Sequence, residues 1–213
     1  MTIEMLKGYL DGETKPNQFR IRNLDQETVA KMLTLCYKHE VGKRRKDYID
    51  DPVLLKNIEK VAKWLTGEYK FGLMVYGGVG NGKTTLLRSI NSLISAINIE
   101  DYWSRKITIR NATAIDIFNI ARSNDMERYE RFKDSDFLFI DDLGVEPTTA
   151  KVWGNEISPI TDILYYRYDH QLFTVVTSNL SDNDLKERYG VRIADRMNEM
   201  FECIHFSGES YRK

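Results

Sequence analysis

Cysteine is scarce: the 213 residues hold two, Cys36 and Cys203. They lie far apart, with neither C-x-x-C nor Cys/His metal spacing, which fits a reducing compartment and argues against structural disulfides or zinc. Net charge is scarce as well. With 31 basic against 32 acidic residues, no global field draws the chain to nucleic acid or to membrane, so any nucleic-acid contact has to come from a local patch. No apolar run approaches the roughly 18 residues of a spanning helix. The start, MTIEMLKGYLDGE, lacks the basic opening and apolar centre of a signal peptide. Internal repeats and low-complexity tracts are missing too. These absences point to a cytosolic protein with one domain of ordinary size plus an appendage, long enough to bury a large core.

What is present is organised around residues 77–84, GGVGNGKT, which satisfy G-x-x-x-x-G-K-[ST] at each required place. Consecutive backbone N–H groups can wrap a phosphate chain only in conformations that side chains forbid. Gly77, Gly78, Gly80 and Gly82 permit them, with Val79 and Asn81 between. Lys83 is placed to reach the β- and γ-phosphate oxygens and Thr84 to set a hydroxyl on the bridging Mg²⁺, with Thr85 completing the set. The context agrees. Residues 73–76 (LMVY) are a short apolar run of buried-strand type. Residues 85–97 carry Leu86, Ile90, Leu93, Ile94 and Ile97 at a helical period, in a helix whose N-terminus faces the phosphates. A glycine-rich turn matching by accident is the plain alternative, and the order strand, loop, helix counts against it. No Asn-Lys-x-Asp motif for guanine occurs, which favours ATP over GTP.

Residues 1–22 have few large apolar residues in any period, interrupted by Gly8, Gly12 and Pro16, and read as a loosely held arm. Asp25 is the N-cap of a helix with Val29, Met32, Leu33, Cys36 and Tyr37 as its stripe, ending near Gly42. The run Lys43-Arg44-Arg45-Lys46, with Tyr48 beside it, could meet phosphates or an acidic partner; four charges fall short of a clear block, and a solvated connector is favoured. Asp51-Pro52 carries both start signals of a second helix, with Leu54, Ile58, Val61, Ala62 and Leu65 as its buried face and Gly67 as its stop. That helix leads into the phosphate-loop strand. The boundary therefore falls near residue 48, giving an N-terminal helical extension, 1–48, as a candidate partner-binding arm, and a nucleotide-binding domain, 49–213. Beyond the first helix of that domain, strands at 107–110, 137–140, 173–177 and 202–206 alternate with helices at 112–123, 124–133 (exposed), 156–171, 182–189 and 193–200. This alternation predicts an α/β three-layer fold around a parallel five-stranded sheet.

The second constellation is FLFIDDLG, residues 137–144. An acid at the C-terminal end of a buried strand lies at the crevice where such sheets bind ligands, so Asp141 can hold Mg²⁺ through water and Asp142 can orient or deprotonate the attacking water. Alone, two such aspartates are as often a strand-terminating turn; following a phosphate loop, they carry weight. Asn179, at the end of the next strand, can hold a water or the γ-phosphate without competing for the metal, and can also form the turn before Leu180. Transition-state charge on a transferring phosphoryl group is best met by an arginine, often one from a neighbouring subunit. Arg192, Arg196 and Arg212 are the candidates. Arg192 and Arg196 share a helical face, although spacing alone favours surface arginines bonded to Asp195 or Glu199.

The order of motifs, GGVGNGKT, FLFIDDLG, TVVTSNLS, RYGVRIADRM and GESYR, resembles the helicase-loader branch of the AAA+ ATPases, the DnaC and IstB type, and is similar to the initiator DnaA, from about residue 50 onward. The resemblance implies that Lys83 and Thr84 form Walker A and Asp141 and Asp142 Walker B. It implies that Asn179 is sensor 1, Arg196 an arginine finger acting in trans with Arg192 a neighbouring candidate, and Arg212 the sensor 2 arginine. It further implies ATP and Mg²⁺ as cofactors, ATP-dependent self-assembly, and a DnaB-like replicative helicase and single-stranded DNA as partners. Residues 122–131 fall where this branch has an extra helix that stacks subunits and lines a DNA path. Asp142 stands where many AAA+ proteins have Glu, and an acid shorter by one methylene implies slow turnover. With the chain ending at Lys213, no separate helical lid is expected. The alternatives are an IstB-like helper of transposition on duplex DNA, a nucleotide-gated adaptor with little hydrolysis, and a small-molecule P-loop kinase.

Overall fold

A computed structural model of the chain describes residues 2–5, 19–97, 107–207 and 210–211. Helices α1 (Gln26–Lys43) and α2 (Pro52–Thr66) lead into strand β1 (Gly72–Tyr76) and helix α3 (Lys83–Ala96). Then follow β2 (Ile109–Thr113), α4 (Ala114–Arg122), α5 (Met126–Lys133), β3 (Phe137–Leu143), β4 (Ala150–Val152), β5 (Asn155–Ile157), α6 (Pro159–Asp169), β6 (Phe173–Ser178), α7 (Asp182–Tyr189), α8 (Val191–Met200) and β7 (Phe201–His205). The main sheet runs β2-β3-β6-β1-β7, and every neighbouring pair is parallel.

A parallel sheet has to be covered on both faces, and the pleat sorts the apolar runs accordingly. Leu73 and Val75 of β1, Phe137 and Phe139 of β3 and Val175 of β6 share one cluster with Leu33 of α1, Ile58 of α2 and Ile90 of α3. Their neighbours Met74, Leu138, Ile140 and Val176 share the other with Ile117 of α4, Tyr129 of α5, Ile163 of α6, Leu185 of α7 and Ile193 of α8. The three-layer α/β fold with a five-stranded parallel sheet is thus the one expected. The strand order reverses at β1, which has β6 on one side and β7 on the other; ligands of open α/β sheets bind at the carboxyl end of such a switch point. No helix among the described residues is long and apolar enough to cross a membrane.

The structure corrects four local expectations. The helix expected from residue 156 begins at Pro159, because proline is suited to the first helical position while restricting the residue before it. Residues 150–157 instead form an antiparallel hairpin, β4 and β5, turning at Trp153 and Gly154 with φ of 52° and 82°. The strand expected at 107–110 lies at Ile109–Thr113. Thr113 ends it by capping α4, its side chain accepting from the Asp116 N–H while the Asp116 carboxylate accepts from the Thr113 N–H. Helix α5 is not merely exposed: Tyr129 and Phe132 are buried, and the Tyr129 hydroxyl donates to the Pro159 carbonyl at 2.8 Å. The described end of the N-terminal arm is pinned. Arg20 donates to the carbonyls of Gly67, Tyr69 and Lys70, and Phe19 meets Phe137 and Phe173 edge-on.

Candidate nucleotide-binding and hydrolysis site

Strand β1 delivers the chain into the loop 77–82, and α3 starts at Lys83. Gly77 has φ 144°, and a Cβ there would lie 2.4 Å from the Phe206 carbonyl oxygen; Gly82 has φ 97°, and its Cβ would lie 2.2 Å from the Tyr37 hydroxyl. Neither place admits a side chain. Gly82 is the N-cap of α3 and supplies no side-chain hydrogen bond to it, and the N-terminus of such a helix is complementary to an anion. Asn81 donates from Nδ2 to the Phe206 carbonyl at 2.6 Å, tying the loop to the chain just past β7. The Lys83 ammonium donates to the Gly77 and Gly78 carbonyls at 2.9 and 2.5 Å and to Asn81 Oδ1 at 3.2 Å. It lies inside the curve of the loop.

The acids stand beside this loop. Thr84 Oγ1 donates to Asp141 Oδ1 at 3.0 Å, and so does Thr177 Oγ1 at 2.6 Å. The Asp142 N–H donates to the same Thr177 oxygen at 2.9 Å. Thr177 of β6 therefore joins both aspartates, a part that sequence reasoning missed; its only local signal is a hydroxyl two residues before Asn179. The register of β3 against β6 shifts between Ile140 and Leu143, and Asp142 has φ 55°. Such irregularities re-aim side chains at a strand end.

A cavity of about 650 Å³ connects these groups, within the range of small-ligand sites. Val79, Gly80, Asn81, Gly82, Lys83, Thr84 and Thr85 line one side, joined by Asp142 and Asn179; Gly77 and Gly78 meet it through Lys83, and Asp141 through Thr84. The rest of the lining includes residues not read as part of the site from the sequence, among them Tyr37, Arg44, Lys46, Asp47, Tyr48, Ile49 and Tyr211. The basic run favoured as a solvated connector thus borders the pocket with Arg44 and Lys46. Burial pushes the Tyr37 phenol up to about 12, so it stays neutral. Tyr211 straps the loop: its N–H donates to the Gly80 carbonyl at 3.0 Å and its hydroxyl to the Asp51 carboxylate. Arg212 lies outside the described residues. Arg192 and Arg196 on α8 do not line this pocket; Arg192 is exposed, and the Arg196 guanidinium lies over Tyr165 and Tyr168 at 4.4 and 5.3 Å from the ring centroids.

This donor set suits a nucleoside polyphosphate with Mg²⁺. Glycine cradle, helix N-terminus and ammonium are complementary to phosphate, and a hydroxyl next to a carboxylate is a Mg²⁺ pair that leaves room for waters and phosphate oxygens. Among the described residues no group of three or more His, Cys, Asp or Glu could hold a metal by itself. A Lys83→Ala variant is expected to bind ATP roughly 10- to 100-fold more weakly, the loss of charge-assisted hydrogen bonds, with an unchanged melting curve. Titration with a fluorescent ATP analogue measures it, and unaltered affinity would refute the assignment of the loop.

Fold and site together define a P-loop protein of the AAA+ class. Residues 52–200 match the family model described as the bacterial DnaA ATPase domain, and the chain belongs to that family. Among solved structures it is similar to the DnaC helicase loader, with 23% identity over 75% of this chain and 93% of that one and a TM-score of 0.57. It is similar to DnaI, with 23% identity over 74% and 87% and a TM-score of 0.55. AMPPCP-bound DnaA from Aquifex aeolicus matches at 17% identity over 76% of this chain and 49% of that one, with a TM-score of 0.55. These likenesses concern the fold. No protein with a curated description matches the chain in sequence.

Proposed function

We propose that this protein is an ATP-dependent AAA+ helicase loader, which binds and hydrolyses ATP to deliver a replicative helicase onto single-stranded DNA. The observation that carries the ATPase reading is the group formed by Thr84, Asp141 and Thr177 beside Lys83, with Asp142 and Asn179 on the same cavity. Family membership and the fold shared with DnaC and DnaI support the loader reading. Bound Mg²⁺ would neutralise phosphate charge and align the γ-phosphoryl group for in-line attack. Thr84 and Asp141 would hold it, and Lys83 with the loop N–H groups would grip the β- and γ-phosphates. Asp142 takes the proton of the attacking water or orients it, and Asn179 steadies that water or the γ-phosphate. Arg196 completes the site of a neighbouring subunit, with Arg192 the second candidate, and Arg212 acts as sensor 2. The extension 1–48 is the helicase contact. Because its far end, from Tyr37 to Tyr48, walls the nucleotide pocket, the nucleotide can bear directly on that contact.

The testing experiment is the native mass of the wild type mixed with ATP, Mg²⁺ and its host's replicative helicase, with Lys83→Ala as control. A stable assembly that needs Lys83 is expected; self-assembly on duplex DNA with no helicase bound would replace the loader by a transposition helper. In the same preparations an Asp142→Asn variant is expected to lose about 10²-fold in ATP turnover, as for removal of a general base. A wild type with no measurable turnover would leave a nucleotide-gated adaptor instead.

A further inference from the structure

Four residues beyond Asp142 stands Glu146, an acid only 1% exposed. A buried carboxylate is costly unless donors hold it, and Glu146 is held at both oxygens. Oε2 accepts the Gly144 N–H at 2.9 Å, and Oε1 accepts the hydroxyl of Tyr189, the last residue of α7. The main-chain carbonyl of Glu146 accepts from Arg188 Nη2. Among the described residues Glu146 forms no ion pair, so its charge serves these donors and not a salt bridge. Burial first, and then the charge of Glu146, raises the Tyr189 phenol well above its ordinary range, so it remains a donor.

What these bonds hold is the turn that carries Asp142. Asp142 has a left-handed backbone with φ 55°, and Gly144 follows with φ 102°. A Cβ on Gly144 would come within 2.4 Å of Leu180, in the loop that begins with Asn179. On the β6 side the turn is fastened by the Asp142 N–H on Thr177 and by Ser178 Oγ on the Leu143 carbonyl, at 2.9 and 2.7 Å. On its other side it hangs from Glu146. A left-handed aspartate is kept only where the surroundings over-determine it, and removing one of two anchors frees the turn to relax.

We propose that Glu146 is a positioning residue for hydrolysis, fixing the 142–146 turn to the end of α7 so that Asp142 meets the attacking water. This rests on the role of Asp142 given under Proposed function. The anchor has a second consequence. Tyr189 passes through Gly190 directly into α8, which carries Arg192 and Arg196, so a neighbouring subunit that engages α8 bears on the same turn. Nothing in this role needs contact between Glu146 and the nucleotide, and Glu146 is not among the residues that line the cavity.

The test uses the full-length protein as wild type, Glu146→Gln, Tyr189→Phe and Asp142→Asn, with ATP affinity, steady-state turnover and amide hydrogen exchange of residues 140–147 measured on each. Glu146→Gln presents an amide NH₂ to groups that are themselves donors. It is expected to keep ATP affinity within about twofold and to lower kcat about tenfold, the effect of one charge-assisted hydrogen bond, while exchange at Gly144 and its neighbours speeds up. Tyr189→Phe removes one hydroxyl only and is expected to act in the same direction with a smaller loss. Unchanged exchange and unchanged kcat in both variants would overturn the proposal. So would a fall in ATP affinity that matches the fall in kcat, since that is the mark of general damage to the fold. If Asp142→Asn turns over like the wild type, the base assignment fails instead, and exchange at 140–147 still decides whether Glu146 fixes the turn.

Discussion

An Arg196→Ala variant is expected to bind ATP as the wild type does and to hydrolyse it about 10³-fold more slowly, the low end of what an arginine finger contributes. Arg196 is absent from the cavity of its own chain and is presented by α8 with its guanidinium over the faces of Tyr165 and Tyr168. Stacking holds a planar cation in one orientation without consuming its hydrogen-bond donors, which suits a group waiting for a neighbour's γ-phosphate. The acid that spacing offered it, Glu199, instead accepts the Tyr168 hydroxyl. Because the stacking itself is worth about 0.5–1 kcal/mol, the melting temperature has to be followed separately. The decisive measurement is turnover after mixing Arg196→Ala with Asp142→Asn. Each is defective alone, and mixed assemblies regain activity where an intact Walker site faces an intact arginine. No recovery on mixing, together with normal turnover by Arg196→Ala alone, would transfer the role to Arg192; normal turnover by both arginine variants would remove the trans site.

Arg167→Met is expected to cost about 3–4 kcal/mol of folding stability, from several buried carbonyls losing their donor at once, and to lower the melting temperature by roughly 10 °C at this chain length. Arg167 is fully buried on α6. Its Nε donates to Thr174 Oγ1 at 2.8 Å, Nη2 to the Phe173 carbonyl at 2.7 Å, and Nη1 to the carbonyls of Lys133 and Ser135 at 3.0 and 2.8 Å. One side chain thus ties the end of α5, the turn before β3 and the start of β6. Burial, partly offset by nearby Asp136 and Asp134, lowers its pKa to about 9, so at neutral pH it remains a cation solvated by carbonyl oxygens. Lysine is no substitute, since a compact ammonium cannot reach both sides as the guanidinium fork does. Denaturant unfolding of Arg167→Met and Arg167→Lys checks this. A loss below about 1 kcal/mol in both would mean that the carbonyls find other donors or water.

The parts legible in the sequence are those whose physics is local. Wrapping a phosphate needs left-handed and crowded backbone, which glycine alone supplies, so residues 77–84 announce the loop. A strand buried on both faces has to be apolar throughout, so residues 137–140 and 173–177 announce the centre of the sheet, and the acids after the first of them announce the second half of the site. The hairpin at 150–157 escaped because its turn, Trp153-Gly154, is not the Asn-Gly type that marks such turns, and the overlooked start signal was Pro159. Buried Arg20 and Arg167 escaped because arginine reads as surface until its carbonyl partners are known.

By itself, then, the sequence determined that a phosphate loop, a strand ending in two acids and a third strand ending in Asn179 would occur in a parallel α/β sheet. Only the tertiary structure decided what stands beside them. Thr177 reaches Asp141 across 36 residues and Tyr211 reaches Asp51 across 160, and Tyr37, with Arg44 and Tyr48 after it, lines the same pocket as the loop because α1 packs on α3. Propensity, capping and periodicity act over a few neighbouring residues and leave their mark in the sequence there. A contact closed by the order of the strands leaves no such mark, because any hydroxyl or aromatic residue at that place in the chain looks alike until the sheet brings its partner to it.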